Sequence, residues 1–441
     1  MRICALLALL LVPVLFQARA ESVKDREGAV RADRARFEND ARWAYNDVDS
    51  GFKLARATGR PLLVVMRCVP CLSCMGIDTA VLMENDELAS LLDQFVCVRV
   101  MNANALDLTR FQFDFDLSFS TLFLNGDGTV YGRYGSWTHQ KNSQDASLTS
   151  YKLALEQALA IHRGYPANRE ALQGKQPAPL PYASVTDLPS LAGRYQRELD
   201  WDGKVVGSCV HCHQVGDALR QSWRDQRQPV PEEWIYPMPA PETVGLTLAQ
   251  DRVAAITDVR SNSPAQRAGL KPGDEILRIA GQPLVSVADF SWILHRTGHA
   301  GQLDFTVRRE GVEQGLKLDL AAGWRFQADN SGRVASWPMR GMATGGMLLA
   351  DLGDDERREL GLGLDGMALR VKHLGQYGLH AAAKKAGVQK EDILMEFDGL
   401  TARMTESRLL GHLLQKRFPG DKVRVVLQRG GQRRTVELPM Q

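Results

Sequence analysis

The sequence lacks any run of five or more like charges. Its 441 residues include 54 Lys and Arg and 52 Asp and Glu, which gives a formal net charge of +2. A chain without concentrated charge offers no electrostatic footprint for nucleic acid or for an anionic membrane surface. The sequence therefore favours neither of these partners.

Long apolar runs are also scarce, and the one that stands out covers residues 4–16 near the N-terminus. It follows Arg2 and precedes the small-residue motif Ala-Arg-Ala at 18–20, which is the pattern of a secretory signal peptide. The run is shorter than the roughly 20 residues that span a bilayer. We predict that residues 1–20 are a cleaved signal peptide, with an uncleaved anchor as the alternative. The mature protein is expected to be periplasmic or otherwise exported and not membrane-spanning.

Few cysteines lie outside CxxC spacings. Removal of the predicted signal peptide leaves six, and Cys97 is the one that has no cysteine three residues away. Cys97 falls in a predicted strand, where a buried, small apolar role is expected. The other five form the overlapping pairs CVPC and CLSC (Cys68, Cys71, Cys74) and the motif CVHCH (Cys209, Cys212, His213). This distribution favours redox or cofactor chemistry over disulfide stapling, because the chain is long enough to build apolar cores.

The chain divides into segments of different pattern, and the fold class predicted is multidomain α/β plus α+β. Residues 35–165 alternate a buried strand (61–66), a helix (85–95), a second strand (96–101), a hairpin (120–135) and a closing helix (147–164), which is an α/β order. Residues 166–240 are predicted as a Pro-rich linker that carries CVHCH. Two similar units, 241–322 and 360–441, follow with a connector at 323–359, and their common order of signals indicates an internal repeat.

The two repeats resemble PDZ domains. The first contains "SPAQRAGLKPGDEIL" and the second the looser "HAAAKKAGVQKEDIL". The resemblance implies partly open β-barrels with helices, which bind a peptide C-terminus in a nest of backbone N–H groups and add it as a strand. The alternative is a packing module whose groove is occluded. The expected peptide-binding residues are Gly245, Leu246, Thr247 and Leu248 in the first repeat, and Gly361, Leu362, Gly363 and Leu364 in the second.

Residues 35–165 resemble thioredoxin-like proteins, which place a CxxC motif between a buried strand and a helix. The resemblance implies that Cys71 is the attacking thiol and Cys74 the resolving thiol, while Cys68 could form an alternative disulfide with Cys71. CVPC remains an alternative active pair because its proline matches that of the thioredoxin motif. Ser120 stands where thioredoxins carry a cis-proline, so we expect a trans bond there, because cis bonds are costly without proline. That change weakens general disulfide reduction and leaves room for metal binding by the three cysteines.

CVHCH matches the attachment signature of c-type haem, in which two thiols hold the porphyrin and the adjacent His binds the iron. This predicts haem c at Cys209, Cys212 and His213, with Met238 as a candidate sixth ligand. The alternatives are a metal site that also uses His211, and a second dithiol that exchanges with the first.

The order of a thioredoxin-like domain, CxxCH and two PDZ repeats resembles a bacterial family described as thioredoxin/PDZ domain-containing (seleno)proteins. The resemblance implies an exported thiol-disulfide redox protein whose PDZ repeats recruit protein or peptide partners. The alternative is a non-catalytic PDZ adaptor whose cysteines hold a metal or a structural disulfide. A PDZ-containing serine protease is excluded, since no G-x-S-G-G motif occurs.

Overall fold

The computed structural model describes residues 25–69, 86–135, 147–249 and 251–441. The predicted signal peptide, Cys71 and Cys74 lie outside these residues. The strands are β1 Trp43–Tyr45, β2 Leu62–Arg67, β3 Val96–Val100, β4 Phe119–Leu124, β5 Val130–Tyr134, β6 Leu246–Leu248, β7 Ile256–Val259, β8 Glu275–Ile279, β9 Gln282–Pro283, β10 Gly301–Arg309, β11 Val312–Leu320, β12 Met347–Asp351, β13 Leu369–Leu374, β14 Ile393–Phe397, β15 Lys422–Arg429 and β16 Gln432–Pro439. The helices are α1 Arg26–Phe37, α2 Val48–Thr58, α3 Asp86–Leu92, α4 Ser147–Arg163, α5 Val205–Ser208, α6 Cys212–Asp225, α7 Glu232–Ile235, α8 Pro264–Arg267, α9 Val287–Arg296, α10 Ser336–Thr344, α11 Asp354–Glu359, α12 Ala382–Lys385 and α13 Glu406–Lys416.

The first sheet has the strand order β1-β3-β2-β4-β5. β1, β3 and β2 run parallel, and β4 and β5 form the antiparallel hairpin that its turn sequence predicts. Every residue of β2 and β3 is buried, as expected for central strands that are covered on both faces. α4 lies in the apolar cluster on one face, where Tyr151 and Leu155 pack with Leu63 and Phe123. This arrangement places the residue after β2 at the edge where the cysteine motif begins.

The segment 166–240 differs from the linker that its proline content predicts. Val210, Val215, Leu219 and Ile235 are fully buried, and they belong to one apolar cluster with Val64 and other residues of the first sheet. The helix α6 supplies much of this contact through its apolar side. The segment is therefore part of the core, and its prolines shape a packed, irregular chain.

The first repeat has a core of its own, which extends from Val244 to Trp324 and includes Phe290 and Phe305. Its strands form the sheet β11-β10-β8-β9 and the pair β6-β7, so the strands make open sheets in the described chain. At one corner Asp274 accepts two hydrogen bonds from Arg309, from Nε and Nη2, both at 2.7 Å. This bidentate pair joins the turn before β8 to the end of β10.

The second repeat builds the same corner with other residues. Arg429 donates to Asp392 from Nε (2.6 Å) and Nη2 (2.7 Å), between the turn before β14 and the end of β15. Its sheet has the order β12-β13-β14-β15-β16. The unit begins before the predicted residue 360, because β12 pairs with β13 and α10 packs on α13. Most of the predicted connector 323–359 therefore belongs to this second unit.

No helix among the described residues is both long and apolar enough to cross a membrane.

Candidate functional site: a cysteine–histidine contact between two motifs

Cys68 lies directly after β2 and meets the CVHCH motif. Its backbone N–H donates to Ser118 O at 2.9 Å, which holds it at the end of the sheet. The side chain is buried, and its Sγ lies 3.0 Å from Nδ1 of His211, a residue 143 positions away. The first cysteine of the thioredoxin-like motif and the middle of the haem-like motif are thus in hydrogen-bond contact.

Asn104 holds the CVHCH loop on the thioredoxin-like sheet. Its side chain is fully buried, and its Oδ1 accepts from Val210 N at 2.7 Å. Its Nδ2 donates to Ser208 O at 2.8 Å and to Gln196 O at 2.7 Å. Ala103 N also donates to Val210 O at 3.0 Å. Three hydrogen bonds from the loop after β3 therefore fix the backbone just before His211, and a fourth joins this loop to Gln196.

His211 stands at the start of α6. Its backbone N–H donates to Gln214 Oε1 at 2.8 Å, which closes the first turn of the helix. Its ring stacks on that of His213, with centroids 5.8 Å apart. An imidazole in contact with a thiol can take the thiol proton, and this is the common arrangement of an activated sulfur nucleophile. Cys97 has no such partner among the contacts described, and burial raises the pKa of its thiol to about 12.

Ser120 is the second residue of β4 and pairs with Met66 in β2. Tyr165–Pro166 is the only cis peptide bond among the described residues. The bond before Ser120 is therefore trans, as expected. Ser120 also lines a small cavity together with Tyr134, Gly135 and Met238. The predicted attacking and resolving thiols, Cys71 and Cys74, belong to the undescribed segment, and their roles stay predictions.

The residues of CVHCH do not fit a haem as they are arranged here. Cys209 packs against Val30, Met101 and Leu199, whereas Cys212 belongs to the separate, larger core. Both side chains are buried by protein atoms and pack in different apolar clusters, so this packing would have to change before both thiols could bond to one haem. No step below is routed through a haem.

The other predicted ligands point elsewhere. Nδ1 of His213 lies 3.5 Å from Asp217 Oδ2 on α6. Met238 lines a cavity with Trp292 and His295, whose lining does not include His213. Within the described part of the chain, no three His, Cys, Asp or Glu side chains are grouped so that they could hold a metal ion.

The predicted peptide loop of the first repeat, Gly245–Leu248, lies where a PDZ groove would begin. Gly245 has φ of 91°, and its carbonyl accepts from Arg260 N at 2.9 Å. The groove helix α9, however, has every residue from Ala288 to His295 buried. Eight consecutive buried residues leave no face of the helix exposed. The first groove is therefore occluded in this conformation.

The thioredoxin-like sheet covers α9. Asp289 accepts from Lys175 Nζ at 2.6 Å and from Arg133 N at 3.1 Å, and both side chains of the ion pair are fully buried. The guanidinium of Arg133 lies 3.7 Å from the ring centroid of Trp292. A Cβ built on Gly132 would approach Val285 to 2.5 Å, so only glycine allows this close contact between β5 and the repeat.

In the second repeat, the predicted peptide loop at 361–364 is in the wrong place. Gly361, Leu362, Gly363 and Leu364 follow α11 in the connection between β12 and β13. The counterpart of Gly245 is Gly346, whose carbonyl accepts from Gly375 N at 2.9 Å as that of Gly245 does from Arg260. Both strands that follow have a register shift after their second residue. The equivalent of Leu246–Leu248 is therefore Met347–Leu349.

This second groove is also closed. Glu406 on α13 accepts from Leu349 N at 2.7 Å and forms a buried ion pair with Arg340 on α10. Thr344 Oγ1 donates to Met347 O at 3.2 Å. Backbone groups of β12 that an added peptide strand would need are already bonded within the chain.

Comparison with known proteins identifies two domains. A family model described as thioredoxin-like matches residues 43–126, and a PDZ domain model matches residues 243–320. The chain thus contains a thioredoxin-like domain and a PDZ domain.

Among curated relatives, the chain is 26% identical over 146 residues to a probable periplasmic serine endoprotease DegP-like of Marinomonas sp., covering 33% of this chain and 29% of that protein. It is 32% identical over 83 residues to a probable periplasmic serine protease do/HhoA-like of Haemophilus influenzae, covering 19% and 16%. The chain spans less than a third of the length of these relatives. A solved structure, the HtrA-type protease AlgW with decapeptide, has a TM-score of 0.20 at 18% identity and covers 30% of this chain and 38% of that one. A TM-score this low does not indicate a shared overall fold.

Proposed function

We propose that this protein is an exported thiol-disulfide redox protein whose reactive centre lies at the end of β2. The observation that carries the proposal is the 3.0 Å contact between Cys68 Sγ and His211 Nδ1 in a thioredoxin-like domain. The Asn104 hydrogen bonds hold the backbone of Ser208 and Val210, just before His211. CVHCH then serves to present His211, in place of a haem.

The proposed reaction is thiol-disulfide exchange. The thiolate of Cys71 attacks one sulfur of a substrate disulfide, the S–S bond breaks, and the first substrate thiolate leaves. Cys74, as thiolate, attacks the mixed disulfide and releases the second substrate thiolate. The substrate gains two electrons, and Cys71 and Cys74 are left oxidised as a disulfide. In the alternative CVPC pair, Cys68, with His211 as proton acceptor, attacks the mixed disulfide on Cys71 and releases the second substrate thiolate.

Export rests on the apolar N-terminal run and on relatives whose names describe periplasmic proteins. The PDZ domain supports peptide binding as a property of its class. In this chain the covered helix α9 means that a peptide could enter the first groove only after the repeat separates from the thioredoxin-like sheet. A simple adaptor with open grooves is therefore the weaker candidate.

Mixed-disulfide trapping tests the exchange reaction. The full chain with Cys74→Ser is incubated with a peptide that contains one disulfide, and the covalent adduct is identified by mass spectrometry. We expect the adduct on Cys71, and none with Cys71→Ser. Cys97→Ala is the matched control and should behave as the wild type, because its thiol is buried and held protonated. Equal peptide reduction by wild type and Cys71→Ser would reject the exchange reaction.

Alkylation of Cys68 tests the role of His211 separately. In a chain with Cys71→Ser and Cys74→Ser, the rate of iodoacetamide addition to Cys68 is followed by peptide mass mapping at pH 7. We expect His211→Gln to slow this rate on the order of 10²-fold, since a positioned base contributes about that much. His213→Gln is the control and should leave the rate unchanged. An unchanged rate in His211→Gln would show that the contact is structural.

A further inference from the structure

Four apolar side chains are exposed together on the second repeat. They are Val334 (40% exposed), Trp337 (36%), Tyr377 (86%) and Leu379 (51%), and we call them the aromatic patch. Large apolar residues that are scattered singly over a surface need no explanation, but a contiguous group marks a contact site.

The patch is one surface because three segments meet at Trp337. Its ring stacks on His380, with centroids 4.8 Å apart and planes 5° from parallel, and it also contacts the ring of His373 at 5.7 Å. Trp337 belongs to α10, His373 to β13, and His380 to the loop that leads to α12. Tyr377 and Leu379 stand on that same loop.

The loop has no apolar counterpart in the first repeat. There the connection from β7 to α8 is the polar stretch Arg-Ser-Asn-Ser at 260–263, whereas 375–381 reads Gly-Gln-Tyr-Gly-Leu-His-Ala. The longer connection presents two apolar side chains to solvent at a position where the related unit needs none. Packing within the repeat therefore does not account for them.

The two segments that supply the patch residues carry basic charges alone. Segments 331–346 and 371–390, which build this surface, contain no Asp or Glu. Lys372, Lys384 and Lys385 are exposed, and Nζ of Lys384 donates to Gln376 beside the patch. The two arginines of these segments, Arg333 and Arg340, are buried in ion pairs and do not contribute to the surface. The patch is thus an aromatic and aliphatic surface with Lys384 at its border.

We infer that the aromatic patch docks the protein on an anionic lipid surface. Trp and Tyr favour the membrane–water interface, where the ring contacts acyl chains and the polar atom stays hydrated. Exposed lysines at the border complement anionic headgroups and strengthen such contacts. These lysines are spaced along the segment 371–390, so they form no long run of like charges in the linear sequence. This docking goes beyond the proposed thiol chemistry and does not depend on it.

Vesicle sedimentation tests the inference with the full chain. Binding is measured to vesicles of 30% phosphatidylglycerol and 70% phosphatidylethanolamine, and to vesicles of phosphatidylcholine alone. We expect binding to the anionic vesicles that weakens with added salt. The double variant Tyr377→Ser/Leu379→Ser should need at least tenfold more lipid for half-maximal binding. Lys384→Glu/Lys385→Glu should weaken binding similarly and reduce its dependence on salt.

Val312→Ser supplies the matched control, because Val312 is 61% exposed at the β10–β11 turn of the first repeat and should not matter. The thermal unfolding midpoint of each variant is measured to check that the variant remains folded. Full binding by the patch variants would overturn the inference and assign any binding to another segment, such as the apolar N-terminal run. Equal binding to both vesicle types, or no binding to either, would also overturn it.

Discussion

The two repeats share their internal construction and differ in how the rest of the chain holds them. Each has a glycine with positive φ before its first strand, a register shift in that strand, and a bidentate Asp–Arg corner. The first repeat keeps an apolar core largely of its own, and Asp289 joins it to β5 through Arg133 N and to the 166–240 segment through Lys175. Most of the second repeat's core is continuous with that of the first sheet, because Leu369 and Leu410 belong to one cluster with Val64.

This difference shows that the same type of repeat can be held in two ways. The first repeat contacts the rest of the chain around a buried ion pair, and the second shares an apolar core with it. The contact of the first repeat combines a buried ion pair with a few apolar side chains such as Val285 and Trp292. Division of the continuous core of the second repeat would expose much more apolar surface. The first repeat is therefore the one that could be released to expose a peptide groove.

The largest effects are expected where a buried ion pair holds each repeat. Asp289→Ala leaves the buried Lys175 without its carboxylate partner, and Glu406→Ala does the same to Arg340. Loss of one partner of a buried pair costs about 3–5 kcal/mol. We expect Asp289→Ala to release the first repeat, so that denaturant unfolding shows two transitions. Glu406→Ala should lower a single transition. The exposed Asp258→Ala is the control, and one transition in Asp289→Ala would contradict a docked first repeat.

A glycine series tests the alignment of the repeats. An alanine Cβ at Gly346 would lie 2.0 Å from His380 O, and at Gly245 2.2 Å from Ser263 Cβ, whereas at Gly361 no atom lies within 4 Å. All three glycines have positive φ. Gly361→Ala should therefore cost about 1–2 kcal/mol from the backbone alone. Gly245→Ala and Gly346→Ala should each cost roughly 3–5 kcal/mol because of the added clash. Equal costs for Gly346→Ala and Gly361→Ala, by urea unfolding, would reject Gly346 as the counterpart of Gly245.

Strands and helices, which depend on short-range patterns, could be predicted from the sequence. Contacts between residues far apart in the chain could not. Continuous apolar residues predicted β2, and a 3.6-residue periodicity predicted α4 within one residue. The Asn104–Val210 bonds join positions 106 residues apart, and neither residue carries a local signal of that contact. Gly132 in a strand could have indicated the close approach of another backbone. The Gly-Leu-Gly-Leu stretch at 361–364 matched the pattern of a peptide-binding loop. The pairing of β12 with β13 shows that Gly346 is the structural counterpart of Gly245.

The thiol site shows the same limit. Motif spacing found Cys68, Cys209 and Cys212, and it assigned His213 a role as iron ligand and His211 a role in the alternative metal site. The contact of His211 with Cys68 became visible only in the folded chain. The motif CVHCH contains no information about a partner 143 residues away.

The smallest effects on stability are expected at the two Asp–Arg corners. Substitutions there test whether the two repeats are stabilised in the same way. Asp274→Asn and Asp392→Asn each replace a charge-assisted pair with weaker hydrogen bonds, and each should cost about 1.5–3 kcal/mol.

Burial acts to raise the pKa of Asp274, but the hydrogen bonds from Arg309 outweigh it, and the net pKa is lowered. The stability from this carboxylate is therefore present above the unfolded pKa of about 3.9 and is lost as the pH falls through the lower folded value. Unfolding free energies at pH 7 and pH 3 should differ less in Asp274→Asn than in the wild type. The exposed Asp319→Asn should keep the wild-type difference, and a cost at only one of the two corners would show that the repeats do not share this element energetically.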